Sequence, residues 1–445
     1  MLTRRNANGM SRRDVIRLAS ATGVAAGLYR PQMIWAAAPV QIPVGQIAPF
    51  TGSAAEYGPY YRDAAKLAFE QINQAAEKVF GGPIIGQHVV ADSNTLPGPA
   101  VAAARKMVEV DRVPAIIAEW SSGATVAIAA SVTIPAGVLQ IANGASSPLI
   151  TVLPEDEEAD LLFRTSPSDA LQGVVAADLA AGNVIDDYRF SRVATIYINN
   201  PYGQGLSNAF TEAFERRGGK VLQQVAHPEE MQATYKAQIE AALKGDPELI
   251  LAASYPAHTA AFVREARDNF DFTAFQYCDA NRGDEVLKEV GADALRGRLG
   301  TVPSADPESP TFRKFRDGFL ERFDYDTLQP YTETTYDAAM VIGLTIAKAI
   351  ADGKKGDEIT GRILADNLRE VSNPPGERIL AGDLDSIAKG MQLIADGKDV
   401  DYVGAGGEVD FDAAGDVRTP YAVWRWTDTG SEDIHLIPAS EVPAE

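Results

Sequence analysis

The sequence is poor in the residues on which most enzyme chemistry depends. It has one cysteine, Cys278, so neither an intramolecular disulfide nor a cysteine-rich zinc site can form, and stability has to come from packing. Only four histidines occur, His88, His227, His258 and His435, and they are dispersed. No two stand at i, i+4, and H-E-x-x-H is missing, which argues against a zinc hydrolase. A nucleophilic hydrolase needs a base beside an activated Ser or Cys, and no G-x-S-x-G elbow is present. The phosphate-loop pattern is absent, Pro49 and Phe50 break any dinucleotide glycine fingerprint, and Asp306, Asp324 and Asp326 lack the spacing of a calcium hand. The expectation is a protein that is not an enzyme and uses no cofactor and no metal.

Positive charge is also scarce, with 40 Lys+Arg against 61 Asp+Glu and a formal charge of -21. Such a chain repels a phosphate backbone at long range, and no basic patch follows residue 30, so nucleic acid is excluded as a partner. Hydrophobic residues make up 46%, enough for a large core, and the length allows two or three domains. Long apolar runs are missing: no segment reaches the roughly 18 uncharged apolar residues that a membrane span requires.

What is present begins at the N-terminus. Arg4, Arg5, Arg12 and Arg13 precede a weakly apolar run from Val15 to Trp35 that ends in Ala36, Ala37 and Ala38. Arg17, Gly23, Gly27 and Arg30 interrupt it, so residues 1–38 read as a cleaved secretory signal and not as a spanning helix. Ser11-Arg12-Arg13-Asp14-Val15-Ile16-Arg17 resembles the twin-arginine consensus. The predicted location is the periplasm.

From residue 40 onward, short β-branched runs alternate with stretches of helical period, the pattern of βα units on a parallel sheet. A first series runs over 41–47, 59–79, 88–92, 98–110, 115–118, 125–134 and 138–142. A second repeats it over 193–198, 203–217, 220–225, 234–243, 249–253, 257–269 and 272–277. Between them an acidic turn, Glu155 to Asp160, leads to Phe163-Arg164-Thr165-Ser166-Pro167, read as a crossing between two lobes. Helices are predicted at 311–323, 331–350 and 359–370, and short strands near 408–411 and 421–426. In the segment 373–403, Met391 and Leu393 point to a packed helix. Two such α/β lobes leave a cleft at the C-terminal ends of their strands.

Those strand ends offer hydroxyls, small residues, aromatics and one carboxylate. Trp120-Ser121-Ser122-Gly123 stands where a strand turns into a helix, where amides and hydroxyls suit a ligand carboxylate; the same serines serve equally as N-caps. Gly144, Ala145 and Ser146 close the next strand and allow close approach to backbone groups, as an ordinary turn would. In the second lobe Tyr202 and Tyr255 either wall a ligand or fill the core, and Asp279 either pairs with an ammonium or caps a helix.

Gly45-Gln46-Ile47-Ala48-Pro49-Phe50-Thr51-Gly52, followed by Tyr57-Gly58 and Phe69-Glu70-Gln71-Ile72-Asn73, resembles the opening of the leucine/isoleucine/valine-binding protein family. These are the type I periplasmic solute-binding proteins of ABC importers. Phe163 to Asp169, Tyr202-Gly203-Gln204-Gly205-Leu206 and Tyr336-Asp337-Ala338-Ala339 are similar to that family's further landmarks. The resemblance implies two Rossmann-like parallel-sheet lobes joined by three crossings, with 39–165 and 303–418 as lobe 1 and 166–302 and 419–445 as lobe 2. It implies capture of an amino acid, branched-chain or related, with aromatic carboxylates second, amides or urea third, and a periplasmic ligand sensor as the rival role. Partners would be the ligand, the permease and its ATPase subunits, with membrane contact only through that complex. By the same resemblance Ser121 holds the α-carboxylate, Gly144, Ala145 and Ser146 share the ligand's two ends, and Asp279 takes the ammonium; Ser122 and Trp120 are candidates by their place in the same turn. Tyr202 and Tyr255 match the second lobe's aromatic wall, and Tyr57 the first lobe's aromatic lid. Glu119 departs from this pattern, since it sets a negative charge two residues before Ser121.

Overall fold

A computed structural model describes residues 41–442; the predicted signal lies outside them. Strands β1 (Ile42–Ala48), β2 (Ile85–Asp92), β3 (Ala115–Ile117), β4 (Leu139–Ala142) and β5 (Leu162–Arg164) form one all-parallel sheet in the order β2-β1-β3-β4-β5. Helices α1 (Gly58–Phe80), α2 (Pro97–Glu109) and α3 (Ser122–Ile128) connect the first four strands. Helix α1 has Pro59 in its first turn, where the missing N–H costs nothing, and stops at Gly81 with φ 79°. Its buried stripe runs through Ala64, Ala65, Ala68, Phe69, Ile72, Ala76 and Phe80, with Val79 half-buried.

Helix α4 (Asp169–Ala180) leads to a second parallel sheet, β7-β6-β8-β9, built from β6 (Arg192–Ile198), β7 (Lys220–His227), β8 (Leu249–Ala253) and β9 (Phe275–Gln276). Its connecting helices are α5 (Pro201–Arg216), α6 (Lys236–Ala242) and α7 (Pro256–Phe270). β10 (Leu299–Pro303) then takes the chain to α8 (Pro310–Phe323) and α9 (Thr332–Ala351), and α9 packs on α1. After α10 (Gly361–Ser372), the segment 373–403 holds β11 (Glu377–Leu380), α11 (Leu384–Ala395) and β12 (Val400–Val403). In α11 Met391 is buried and Leu393 half-buried, as the sequence suggested. The chain returns through β13 (Tyr421–Trp426), which pairs antiparallel with β10 and with β14 (Ser431–Ile437). It thus passes three times between the two parallel sheets.

Three differences from the sequence reading stand out, and two have a plain physical cause. The strand expected near 408–411 is a single bridge, Val403 to Glu408, because the chain turns through Gly404, Gly406 and Gly407. That turn is held by the Asp337 carboxylate, which accepts from the amides of Ala405 at 2.7 Å and Gly406 at 2.8 Å. Helix α4 carried no amphipathic signal because almost all of it is buried, with Val174, Val175 and Leu179 covered on different sides. The strand expected over 272–277 is only two residues long.

Candidate functional site

Register decides which residues meet. Ala48 pairs with Asp92, Ile117 with Ile141 and Ala142 with Arg164, so the loops after β1, β3 and β4 leave one edge of the first sheet together. Tyr197 pairs with Ala253 and Leu251 with Gln276, aligning the loops after β6, β8 and β9 on the second sheet. The two edges touch. Tyr255 donates to Ser121 Oγ at 3.0 Å, Ser147 Oγ to the Pro201 carbonyl at 2.8 Å, and Tyr57 to the Ala280 carbonyl at 3.2 Å.

All ten residues expected at the site lie buried along this contact. Four of them form a continuous run of rings: Tyr57 lies 5.3 Å from Trp120, Trp120 4.7 Å from Tyr255 and Tyr255 5.7 Å from Tyr202. Gly144 is there because nothing larger fits, since a Cβ would stand 2.5 Å from Trp120 Cδ1. Ala145 gives its carbonyl to Ser166 Oγ, and Ser122 Oγ accepts from the Ser147 amide.

Asp279 is the centre of the second-sheet side. Its Oδ1 accepts from Gln172 Nε2 at 2.8 Å and the Tyr202 hydroxyl at 3.0 Å, and its Oδ2 accepts from the Tyr331 hydroxyl at 2.7 Å. Burial pushes its carboxyl up, against the pull of these donors. Cys278, the only thiol, is fully buried beside it, and burial followed by the Asp279 charge holds the thiol well above its usual range. Asp169 begins α4 and accepts from Ser146 Oγ at 2.9 Å through Oδ2. Burial first, then the charge of Asp279, pushes it far up.

The serine turn bonds to the protein's own groups. The Ser121 amide donates to Glu119 Oε2 at 2.7 Å, and Ser121 Oγ caps α3 by accepting from Ala124 at 3.4 Å while also accepting from Tyr255. Glu119 therefore already occupies one of the amides expected to hold a ligand carboxylate. Burial raises its carboxyl to about 7 despite bonds from Ser93 and Ser121.

Sequence reasoning missed three residues that contact or neighbour Asp279: Gln172, Asp169 and Tyr331. Gln172 and Asp169 sit in the helix without amphipathic period. Tyr331 has φ 67°, a left-handed conformation that is unfavourable for a bulky side chain and clusters at functional sites; no local motif announces it. A separate cavity of about 580 Å³, lined by Thr327 to Pro330, Arg282, Asp284 and Glu333 among others, touches none of Glu119, Asp169 and Asp279.

A family model described as periplasmic binding protein matches residues 41–430. The chemotactic signal transduction system substrate-binding protein BasB of Halobacterium salinarum is 26% identical over 89% of each chain. The leucine-, isoleucine-, valine-, threonine- and alanine-binding protein of Pseudomonas aeruginosa is 28% identical over 69% of this chain and 78% of its own. Among solved structures, a leucine-binding protein of Thermotoga maritima superposes with a TM-score of 0.71 at 22% identity, covering 89% of this chain and 99% of that one. A solute-binding protein of R. palustris in complex with benzoate gives 0.65 at 15% identity, covering 90% and 97%.

Proposed function

Because the chain belongs to the periplasmic binding protein family, matched over residues 41–430, we propose that it is the substrate-binding component of an ABC importer, capturing an amino acid or a closely related amine by hinge closure. The observation that carries this reading is Asp279, buried at the meeting of the two sheet edges, with three neutral donors and a run of aromatic rings around it. A buried carboxylate without a cationic partner is costly, and a ligand ammonium would remove that cost. On this reading lobe 1 is 39–165 with 303–418, and lobe 2 is 166–302 with 419–445.

Closure is the signal. A ligand that favours the closed form by a few kcal/mol shifts the population almost fully, and the permease then distinguishes loaded from empty protein. Residues 1–38 would direct export by the twin-arginine route to the periplasm, where the permease and its ATPase subunits are the partners. The likeness to a substrate-binding protein of a chemotactic signal transduction system supports a second reading, delivery to a sensor. Uptake of the ligand by cells with and without the gene separates the two.

Binding is tested by a thermal-shift screen over amino acids, aromatic carboxylates and amides, followed by calorimetry. Ser121→Ala combined with Asp279→Ala should abolish binding of the compound retained; undiminished binding refutes the assignment. Small-angle scattering should show compaction with that compound.

A further inference from the structure

The charges around the aromatic run are of one sign. Glu119 and Asp169 are buried there with Asp279, and Glu229 lies over the start of α3, its Oε1 3.3 Å from where a Cβ on Gly123 would stand. Arg164, whose charge acts on Asp169, is already spent: it makes an ion pair with Asp416 at 2.6 Å and donates to the Ser147 carbonyl at 2.9 Å.

Three acceptor atoms in this group are buried and have no donor: Glu119 Oε1, Asp169 Oδ1 and Gln172 Oε1. Such atoms are rare in native proteins, and each is costly to leave unfilled. They lie at two places along the run of rings: Glu119 near its middle, where Ser121 binds it and accepts from Tyr255, and Asp169 and Gln172 at the Tyr202 end, beside Asp279. A ligand carboxylate fares poorly here. The Ser121 amide is taken by Glu119, and both Glu119 and Glu229 would repel a second anion at the start of α3. A protonated amine fits on both counts, since it brings N–H donors to unfilled acceptors and its charge is favoured over the faces of Trp and Tyr rings.

Resting on the capture reading above, we propose that the ligand of this cleft is an organic cation of net positive charge that carries N–H donors, such as a diamine or a diamino acid, and not a neutral zwitterion or a carboxylate. One ammonium lodges against Asp169, Gln172 and Asp279 under Tyr202 and Tyr331. The far end of the molecule reaches Glu119 beneath Trp120 and Tyr255.

The test uses the full chain with 1,5-diaminopentane, lysine, leucine, benzoate and choline, read by calorimetry and small-angle scattering. The diamine or lysine should bind at least tenfold tighter than leucine, benzoate or choline. Asp169→Asn should weaken that binding at least tenfold without lowering the thermal midpoint, because it removes a buried like-charge neighbour of Asp279. Glu119→Gln should weaken the diamine more than it weakens leucine. Leucine or benzoate binding more tightly than both amines overturns the charge assignment and leaves capture standing, as does no binding by either amine. Choline equal to the amines overturns the N–H requirement. The capture reading fails separately, if a compound that binds tightly produces no compaction.

Discussion

The hydroxyl of Tyr255 donates to Ser121 Oγ at 3.0 Å, joining the start of α7 on the second sheet to the start of α3 on the first. The same hydroxyl accepts from Asn200 Nδ2 at 2.9 Å, so it completes a chain of polar groups across the contact. Tyr255→Phe keeps the ring and breaks this link, leaving Asn200 with one acceptor fewer. A lost neutral hydrogen bond is worth about 1 kcal/mol, so ligand affinity should fall roughly fivefold and the liganded protein should compact less in small-angle scattering. Unchanged affinity and radius would show that the link contributes nothing to closure.

Gly144 should not tolerate a methyl group. The Cβ of Gly144→Ala would meet Trp120 Cδ1 at 2.5 Å and Tyr331 Cγ at 3.2 Å, and Trp120 is held between Tyr57 and Tyr255. Overpacking of this kind costs about 1–3 kcal/mol. The substitution should lower the urea midpoint and shift the tryptophan emission, and a variant with wild-type emission and midpoint would contradict this packing.

The buried acids give stability a definite pH slope. Burial raises Glu119 to about 7, above its ordinary value of 4.5, so the folded chain keeps a proton that the unfolded chain has already released. Between about 4.5 and 7 the unfolded state binds fewer protons, and stability falls as pH rises; above 7 the loss levels off. The Glu119 contribution is on the order of 3 kcal/mol at full extent. Glu119→Gln should therefore gain stability relative to wild type at pH 7.5 and gain little at pH 4.5. Glu56 and Glu333, also raised to about 7 by burial, retain the rest of the slope. Chemical denaturation of the unliganded protein at both pH values checks this, and parallel curves for the two proteins would count against it.

Arg164 anchors the end of β5. It is fully buried, paired with Asp416 and bonded to Ser147 and Thr151. Removing one member of a buried pair leaves the other uncompensated, so Arg164→Ala should destabilise by about 3–5 kcal/mol. Replacing both partners, as Arg164→Met with Asp416→Leu, should recover much of that loss. A thermal midpoint unmoved by Arg164→Ala would refute the pairing as a structural anchor.

The parallel sheets and most of their helices were legible in the sequence because most strands are short apolar runs with β-branched residues and α1 and α5 carry one buried stripe. The strand ends were legible with them, and so was the placement of Ser121, Tyr202, Tyr255 and Asp279 just beyond those ends. What escaped is non-local. Gln172 and Asp169 lie in a helix buried nearly all round, Tyr331 reaches Asp279 across 52 residues, and the Ser121 amide is claimed by Glu119 two residues away. No spacing rule shows which way a glutamate turns at a strand end.

Cys278 has a practical consequence of another kind. The chain's one thiol is sealed inside and held in its unreactive form, so a cysteine placed on the outside would be the single labelling point of the native protein. A pair of dyes on engineered surface cysteines could then follow opening and closing molecule by molecule without first removing the natural one.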